Sequence, residues 1–424
     1  MKAAVKQSAM PSSPTANQDF TDGVFSSDVK LMIPFFTRAT ANNTTADGAG
    51  SSFGATDGTG QAAIGHHSAD ALVTTSDVRT QAFTSNVATM ADAVGNASIA
   101  EGSGSLLSTG GRIAWTDWNA NELINALLIG GSDVSATVVS ATLNGTTDVP
   151  VTHGLGATPD IIIGFTIARD TAGAGTNNYS IGFYDVVGNT YASLSKREAG
   201  STTTSLVSYL STTFLAAEIS NSAVTWSVTV NDIGATTFDV VASAATPNAP
   251  TTAPVVYFIC LKVTGGAYKV GTFLTKTSTG TQADITGMSA KPKLVMYLAS
   301  DLLTSEIDTV VATNRGESFG FGAAVDNEGV TEQGSVAAWG NDAVVLGNPT
   351  PVTEENSRTS NTKAGMIFNG SGALDTDWSI SSWDSGGITN NYSTASGTAR
   401  LVAYLAIAPE GAAPLDPIVL RWSL

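Results

Sequence analysis

The distribution of apolar and polar residues along this chain is that of short β-strands. Residues 254–263 are apolar, β-branched or aromatic at almost every position, and turn-forming residues lie on both sides. A run of this length is too short to span a membrane and is typical of a strand buried on both faces. Residues 228–241, just before it, form two alternating runs separated by Gly234, which predicts a β-hairpin.

The same order of a hairpin followed by a closing strand occurs two more times. Residues 378–389 precede the apolar run 399–408, and residues 110–118 precede the run 123–131. The closing runs therefore recur about every 130–145 residues, and such internal repetition is to be considered before any fold is assigned. We expect three copies of one β-domain.

Each copy also contains an earlier strand-like run and a serine–glycine motif after it. Glycine inside a strand is costly unless the backbone bends or packs closely there, so its recurrence predicts a shared geometry. The strand-like runs are residues 29–37, 159–167 and 292–299, and the motifs are Ser52-Phe-Gly, Ser180-Ile-Gly and Ser318-Phe-Gly.

These patterns predict an all-β fold with roughly seven or eight short strands per copy. We expect three tandem antiparallel β-sandwich or jelly-roll-like domains with extended N- and C-terminal arms. The short joins at Gly130 and Gly265 favour a rod of abutting domains over separated ones. The predicted boundaries are 1–17 for the N-terminal arm, 18–134, 135–265 and 266–410 for the three copies, and 411–424 for a C-terminal docking arm.

Charge argues against one class of partner. The chain has 19 Lys and Arg against 36 Asp and Glu, which gives a formal net charge of −17. Phosphate binding needs clustered basic residues, so we expect no nucleic-acid partner. The acidity favours solubility and suits a particle surface, although it is equally typical of an ordinary acidic protein.

Cysteine content and the first residues bear on location. Cys260 is the one cysteine, and it lies in the apolar run 254–263, where a small core residue is expected rather than a nucleophile. The first residues lack the apolar region of a signal peptide, and no apolar run has the length of a transmembrane helix. We expect synthesis in a cytoplasm and no membrane insertion.

The histidines are weak candidates for chemistry. His153 lies in a turn that enters a strand, and general base catalysis there would need an oriented partner. His66 and His67 are adjacent, so in a strand their side chains point to opposite faces, and no Cys or acidic residue lies at ligand spacing. We therefore predict structural roles for all three, with no metal site and no cofactor.

Acidic residues near two tryptophans leave one alternative open. Asp375, Asp377 and Asp384 lie close to Trp378 and Trp383, and a carboxylate pair beside aromatic rings is an arrangement that acts on sugars. A solvated loop beside core tryptophans is the interpretation we favour. No other motif predicts catalysis, and we expect the protein not to be an enzyme.

The C-terminal segment has the composition of a docking arm. Prolines keep it extended, and its last residues are apolar, which is unsuited to a free tail in water. We expect it to dock on a partner through Pro414, Leu415, Ile418, Val419, Leu420 and Trp422.

The chain resembles virion structural proteins of tailed bacteriophages, particularly those of marine phages. The resemblance is carried by the turn His153-Gly-Leu-Gly with the strand after it, by Arg112-Ile-Ala-Trp, and by the closing strand that begins at Ala399. These strand-and-turn patterns cover most of residues 20–410.

The resemblance implies a non-enzymatic structural protein located in the virion. It would be a surface-exposed capsid decoration protein, or one attached to the head, neck or tail, that stabilises or extends the particle. Its expected partners are further copies of itself in a homo-oligomer and other virion proteins, such as the major capsid protein or a neck or tail protein. The alternative is an adhesin or fibre protein that binds host glycans, and a depolymerase is more distant.

Overall fold

The structure, a computed structural model, is all-β with antiparallel sheets, which confirms the predicted fold class. It describes residues 1–13, 16–68, 78–91, 98–117, 121–143, 148–167, 177–198, 206–219, 223–243, 254–313, 317–341 and 354–409. Within these ranges there are 32 strands and one short 3₁₀-helix, Thr304–Glu306.

The strands fall into three consecutive groups, which we call units 1, 2 and 3. Unit 1 contains β1 (Lys2–Ala9), β2 (Asn17–Thr21), β3 (Val29–Thr37), β4 (Thr45–Asp47), β5 (Ala49–Thr56), β6 (Gln61–Ser68), β7 (Val78–Phe83), β8 (Ala88–Ala91), β9 (Ser98–Leu107), β10 (Gly110–Asp117) and β11 (Leu123–Gly130). Unit 2 contains β12 (Val134–Thr142), β13 (Val149–Thr152), β14 (Ile161–Ile167), β15 (Asn177–Asp185), β16 (Thr190–Glu198), β17 (Leu206–Ser211), β18 (Ala216–Ile219), β19 (Val224–Asn231), β20 (Thr237–Ala242) and β21 (Val255–Val263). Unit 3 contains β22 (Ala267–Leu274), β23 (Gly280–Ile285), β24 (Leu294–Ser300), β25 (Val311–Thr313), β26 (Glu317–Asn327), β27 (Val330–Asn341), β28 (Glu354–Ser360), β29 (Gly365–Phe368), β30 (Leu374–Asp384), β31 (Gly387–Thr394) and β32 (Leu401–Ala408).

Each unit has a large and a small sheet, and the strand order repeats. The large sheets run β1-β11-β3-β5-β6-β7 in unit 1, β12-β21-β14-β15-β16-β17 in unit 2 and β22-β32-β24-β26-β27-β28 in unit 3. The small sheets run β2-β10-β9-β8, β13-β20-β19-β18 and β23-β31-β30-β29. The sequence patterns thus fall on equivalent strands, although ten strands, rather than seven or eight, repeat from unit to unit. Whether a unit folds alone stays a prediction.

The prediction of an N-terminal arm over residues 1–17 is wrong for residues 2–9. These residues form β1, which pairs antiparallel with β11 from Lys2↔Gly130 to Ala9↔Leu123. Ala3 and Ala4 are fully buried, so the strand belongs to the packed fold. Alanine is small and depleted in strands, so residues 2–9 show no clear alternating pattern.

The closing strands are buried on both faces, as the sequence predicts. In β21, Tyr257, Ile259 and Leu261 belong to one apolar cluster, whereas Phe258 and Cys260 belong to another. Successive residues of a strand point to opposite faces. One face of β21 therefore packs against the small sheet of unit 2, and the other face points away from that sheet. Strands β11 and β32 divide their side chains in the same way.

The second faces of the three large sheets meet in one central core. Its cluster contains buried residues from all three units. Aromatic rings cross the boundaries: the centroid of Phe53 lies 5.1 Å from that of Phe165 and 4.9 Å from that of Phe321, and Tyr179 lies 4.8 Å from Phe319. Edge-on ring pairs of this kind add to the apolar burial. The three units therefore share a core.

Contacts between neighbouring units close the three units into a ring. The β5–β6 turn of unit 1 reaches the first strand of unit 2, where Val138 N donates to Asp57 Oδ2 (2.8 Å). Strands β15 and β16 of unit 2 contact β22, the first strand of unit 3. Strand β27 returns to unit 1, where Val5 N donates to Glu332 Oε2 (3.0 Å). Each unit therefore contacts both of the others.

Two short strands also cross unit boundaries, from unit 1 to unit 3 and from unit 3 to unit 2. Strand β4 of unit 1 extends the large sheet of unit 3 by pairing with β28, and β25 of unit 3 extends that of unit 2 by pairing with β17. Backbone hydrogen bonds thus run between units across covered sheet edges. The expected rod of abutting domains is wrong, because a short join permits side-by-side packing as readily as a linear arrangement.

The serine of each repeated motif joins the two sheets of its unit. Ser52 Oγ accepts a hydrogen bond from Thr89 N (3.2 Å), and Ser180 Oγ accepts one from Ala217 N (3.2 Å). Ser318 Oγ likewise accepts from Phe368 N (3.0 Å). All three serines are buried, and a buried backbone donor needs a partner, so these bonds fix how the sheets pack.

The repeated glycines lie where the two sheets approach most closely. A Cβ atom on Gly54, Gly182 or Gly320 would lie 2.0, 2.0 or 2.7 Å from the carbonyl oxygen of Val87, Leu215 or Met366, respectively. These carbonyls belong to backbone that cannot move aside without disrupting the small sheet. The shared geometry that the sequence predicts is this close approach.

We expect Gly182→Ala to lower the free energy of unfolding by roughly 1–3 kcal/mol, because its methyl group forces the sheets of unit 2 apart. The control is Gly23→Ala, because no atom lies within 4 Å of a Cβ there. That variant should change stability by no more than about 0.5 kcal/mol. Urea unfolding measures both, and equal effects would contradict the packing role.

Candidate functional site

The adjacent histidines point to opposite faces of β6, as predicted. The ring of His66 lies 5.0 Å from that of Tyr179 in unit 2. His67 Nε2 lies 3.2 Å from Arg38 Nη1, and Arg38 Nε pairs with Glu122 Oε1 at 2.9 Å. Both histidines are buried and packed in different places, so they do not converge on one ligand. In the described ranges no group of three His, Cys, Asp or Glu side chains is placed to hold a metal ion.

His153 stabilises its turn. The side chain is buried, and its ring stacks on Phe238 with centroids 6.1 Å apart. Leu155 N donates to His153 Nδ1 (3.3 Å), and His153 Nε2 lies 3.2 Å from the carbonyl oxygen of Gly234. Both ring nitrogens thus contact backbone, which supports the predicted structural role.

The three acidic residues near the tryptophans have separate partners. Asp375 pairs with Arg400 (3.1 Å), and Asp377 pairs with Lys363 (3.1 Å). Asp384 accepts hydrogen bonds from the hydroxyl groups of two neighbouring residues, Ser382 (2.9 Å) and Thr389 (2.7 Å). Asp377 is buried in β30, so the expected solvated loop is wrong there. The ion pairs hold strands together, which gives these carboxylates a structural role.

The remaining candidates are Cys260 and the predicted docking residues of the C-terminal segment. Cys260 is a buried free cysteine in the core of unit 2, and burial raises the pKa of its thiol. It is therefore a core residue, as expected. Pro414, Leu415, Ile418, Val419, Leu420 and Trp422, the expected docking residues, lie outside the described residues.

A cleft at the edge of unit 3 brings together residues that sequence reasoning did not single out. We call it the Asp284 cleft, and its volume is about 470 Å³. It lies between the end of β22, strand β23, the segment after β24 and the start of β32. Its lining residues are Thr272, Phe273, Leu274, Gln282, Ala283, Asp284, Thr304, Ile307 and Leu401.

Neutral groups hold the carboxylate of Asp284. Gln282 Nε2 donates to Oδ1 (2.6 Å), and Asn390 Nδ2 and Tyr392 Oη donate to Oδ2 (both 2.7 Å). Burial raises the pKa of Asp284 to about 6, although the three hydrogen bonds act to lower it. Burial also raises the pKa of the Tyr392 hydroxyl, which therefore remains a neutral donor at neutral pH.

Only part of this site has a signal in the sequence. Gln282 and Asp284 are two apart in a strand and so share a face, which the alternation of β23 indicates. Asn390 and Tyr392 are 106 and 108 residues further along the chain, and the pairing of β23 with β31 brings them to Asp284.

We expect the Asp284→Asn variant to gain stability relative to wild type as pH rises. The folded pKa lies above the ordinary 3.8, so the folded state binds more protons between about pH 4 and pH 6, and its stability falls through that range. Asparagine does not titrate, so the variant avoids this loss. Its free energy of unfolding relative to wild type should therefore rise with pH, by at most about 3 kcal/mol above pH 7. Urea unfolding of both proteins from pH 4 to 8 measures the difference. A difference that does not change with pH would contradict the raised pKa.

Comparisons with known proteins identify no relative for this chain. No protein-family model matches it, and no curated protein matches it. One solved structure, a BenF-like porin from Pseudomonas fluorescens Pf-5, aligns with 96% of this chain and 98% of its own at 10% identity. Its TM-score is 0.12, which is too low to support an argument about fold or function. Among the described residues, no helix has the length and apolar character needed to cross a membrane.

Proposed function

We propose that this chain is a non-enzymatic structural protein of a tailed-phage virion, exposed on the capsid surface or attached to the head, neck or tail. The observation that carries the proposal is the closed ring of three like units around one core. Such a body presents three similar surfaces around an axis, so it can make three similar sets of contacts on a symmetric particle.

The ring has two distinct ends, which suits attachment by one end only. In each large sheet the first strand begins and the closing strand ends at the same end: Lys2 pairs with Gly130, Val134 with Val263 and Ala267 with Ala408. The hairpins β5–β6, β15–β16 and β26–β27 turn at that end too. Only three residues join β11 to β12 and β21 to β22, so the three ends are neighbours. We call this the hairpin end.

The predicted docking arm follows directly from the hairpin end. Ala408 is the last residue of β32, and residues 411–424 come just after it. If this segment docks as proposed, the hairpin end would face the particle, and the opposite end, with the segments after β3 and β24, would face solvent. This orientation supports a surface protein that stabilises or extends the particle. Homo-oligomerisation stays a prediction.

The location is tested by gold-labelled antibodies against the protein on gradient-purified particles. We expect many labels over the head, or a few at the neck or tail. Protein that stays wholly in the soluble fraction, with unlabelled particles, would contradict the proposal. Labels confined to distal fibre tips would favour the adhesin instead.

We expect deletion of residues 411–424 to lower incorporation into particles, because it removes the apolar docking residues. The double variant Leu420→Ser, Trp422→Ser should have the same effect, and Ser423→Ala is the matched control. Quantitative mass spectrometry of purified particles gives the occupancy, and circular dichroism checks that the β-content is unchanged. Full occupancy of the truncated protein would show that this segment does not dock.

A further inference from the structure

The Asp284 cleft differs from three ion-paired carboxylates of unit 3 in the charge of its partners. Asp375, Asp377 and Asp326 each pair with a Lys or Arg of the chain. Asp284 is partly buried, but the groups that bond its carboxylate are an amide, a second amide and a phenol. A partly buried negative charge held by neutral donors gains strongly from an added cation.

Asp284 and Gln282, which both line the cleft, have oxygen atoms that can accept further hydrogen bonds. Asp284 Oδ1 receives one hydrogen bond, and Gln282 uses its Nε2 for both Asp284 and the carbonyl oxygen of Leu274 (2.8 Å). The amide oxygen of Gln282 and Oδ1 of Asp284 are both acceptors. A ligand that fits them must therefore supply several N–H or O–H donors.

The walls of the cleft are mostly apolar. Phe273, Leu274, Ile307 and Leu401 line it, and Phe273 is only 9% exposed because it packs in the aromatic cluster of unit 3. An apolar wall with acceptors at one point fits a side chain that has a hydrocarbon stem and a charged end. A sugar would instead need an open aromatic face for stacking, and Phe273 offers little of one.

We propose that the Asp284 cleft binds an arginine side chain of a partner protein. The planar guanidinium has five N–H donors and suits two neighbouring acceptors, and its stem would lie on the apolar wall. The formal net charge of −17 also favours a basic partner. The inference that this partner is another particle protein rests on the proposed function. The inference that the cleft binds arginine does not.

Saturation-transfer NMR with the full chain and the peptide acetyl-Gly-Arg-Gly-amide tests the proposal. The matched ligand has citrulline in place of arginine, which keeps the shape and removes the charge, and methyl glucoside represents neutral sugars. We expect saturable binding of the arginine peptide alone, with a Kd on the order of 1 mM. Binding should weaken at about pH 5, where the carboxyl is protonated.

Two variants and one control locate the binding. Asp284→Asn should weaken it roughly tenfold or more, because it removes a charged hydrogen bond. Thr304→Trp, at an exposed rim position, should block the cleft and abolish binding without disturbing the core. This variant tests the site if Asp284→Asn fails to fold. Asp384→Asn, in the same unit but outside the cleft, should bind as wild type does.

Several results would overturn the proposal. These are no saturable binding of the arginine peptide, equal binding of the citrulline peptide or the glucoside, or unchanged binding by both cleft variants. Peptide binding is measured on the isolated protein, so its failure leaves the virion proposal standing, and unlabelled particles would leave the cleft proposal standing.

Discussion

The whole fold depends on the need to bury both faces of three large sheets. In a two-layer sandwich one face of each sheet is covered by the partner sheet and the other faces solvent. Here the closing strands β11, β21 and β32 are apolar on both faces, so the second face also needs a cover. Each unit covers the second face of the others. The ring closure, the boundary-crossing strands and the shared aromatic core all follow from that constraint.

The sequence predicted what is local and repeated. The apolar run at residues 254–263 indicated a doubly buried strand, and the serine–glycine motifs indicated a shared close approach, which Gly54, Gly182 and Gly320 provide. Both are predictable because a continuous apolar run and a recurring glycine have few other physical explanations.

The sequence did not reveal what depends on distant residues. Strand β1 has a weak pattern of its own and exists because β11, more than a hundred residues later, pairs with it. The ring could not be distinguished from a rod, since short joins fit both. The Asp284 cleft requires β23 and β31 to be neighbours, so only Gln282 and Asp284 carried a local signal.

The same constraint gives the proposed function its physical basis. A shared core and backbone pairing across units hold three similar surfaces together, which is what the proposed particle component requires. Strand β32 ends with Ala408 at the hairpin end, and the Asp284 cleft, near the end of β22 and the start of β32, lies towards the other end. Attachment and partner binding would thus occur at opposite ends.

The central claim is that the three units share one core and so unfold together. Hydrogen exchange with mass spectrometry across a urea titration, followed in peptides that cover β11, β21 and β32, tests it most directly. The shared core predicts that all three strands lose protection at the same urea concentration. Three separate midpoints would show that each unit is stable without its neighbours and would contradict the account.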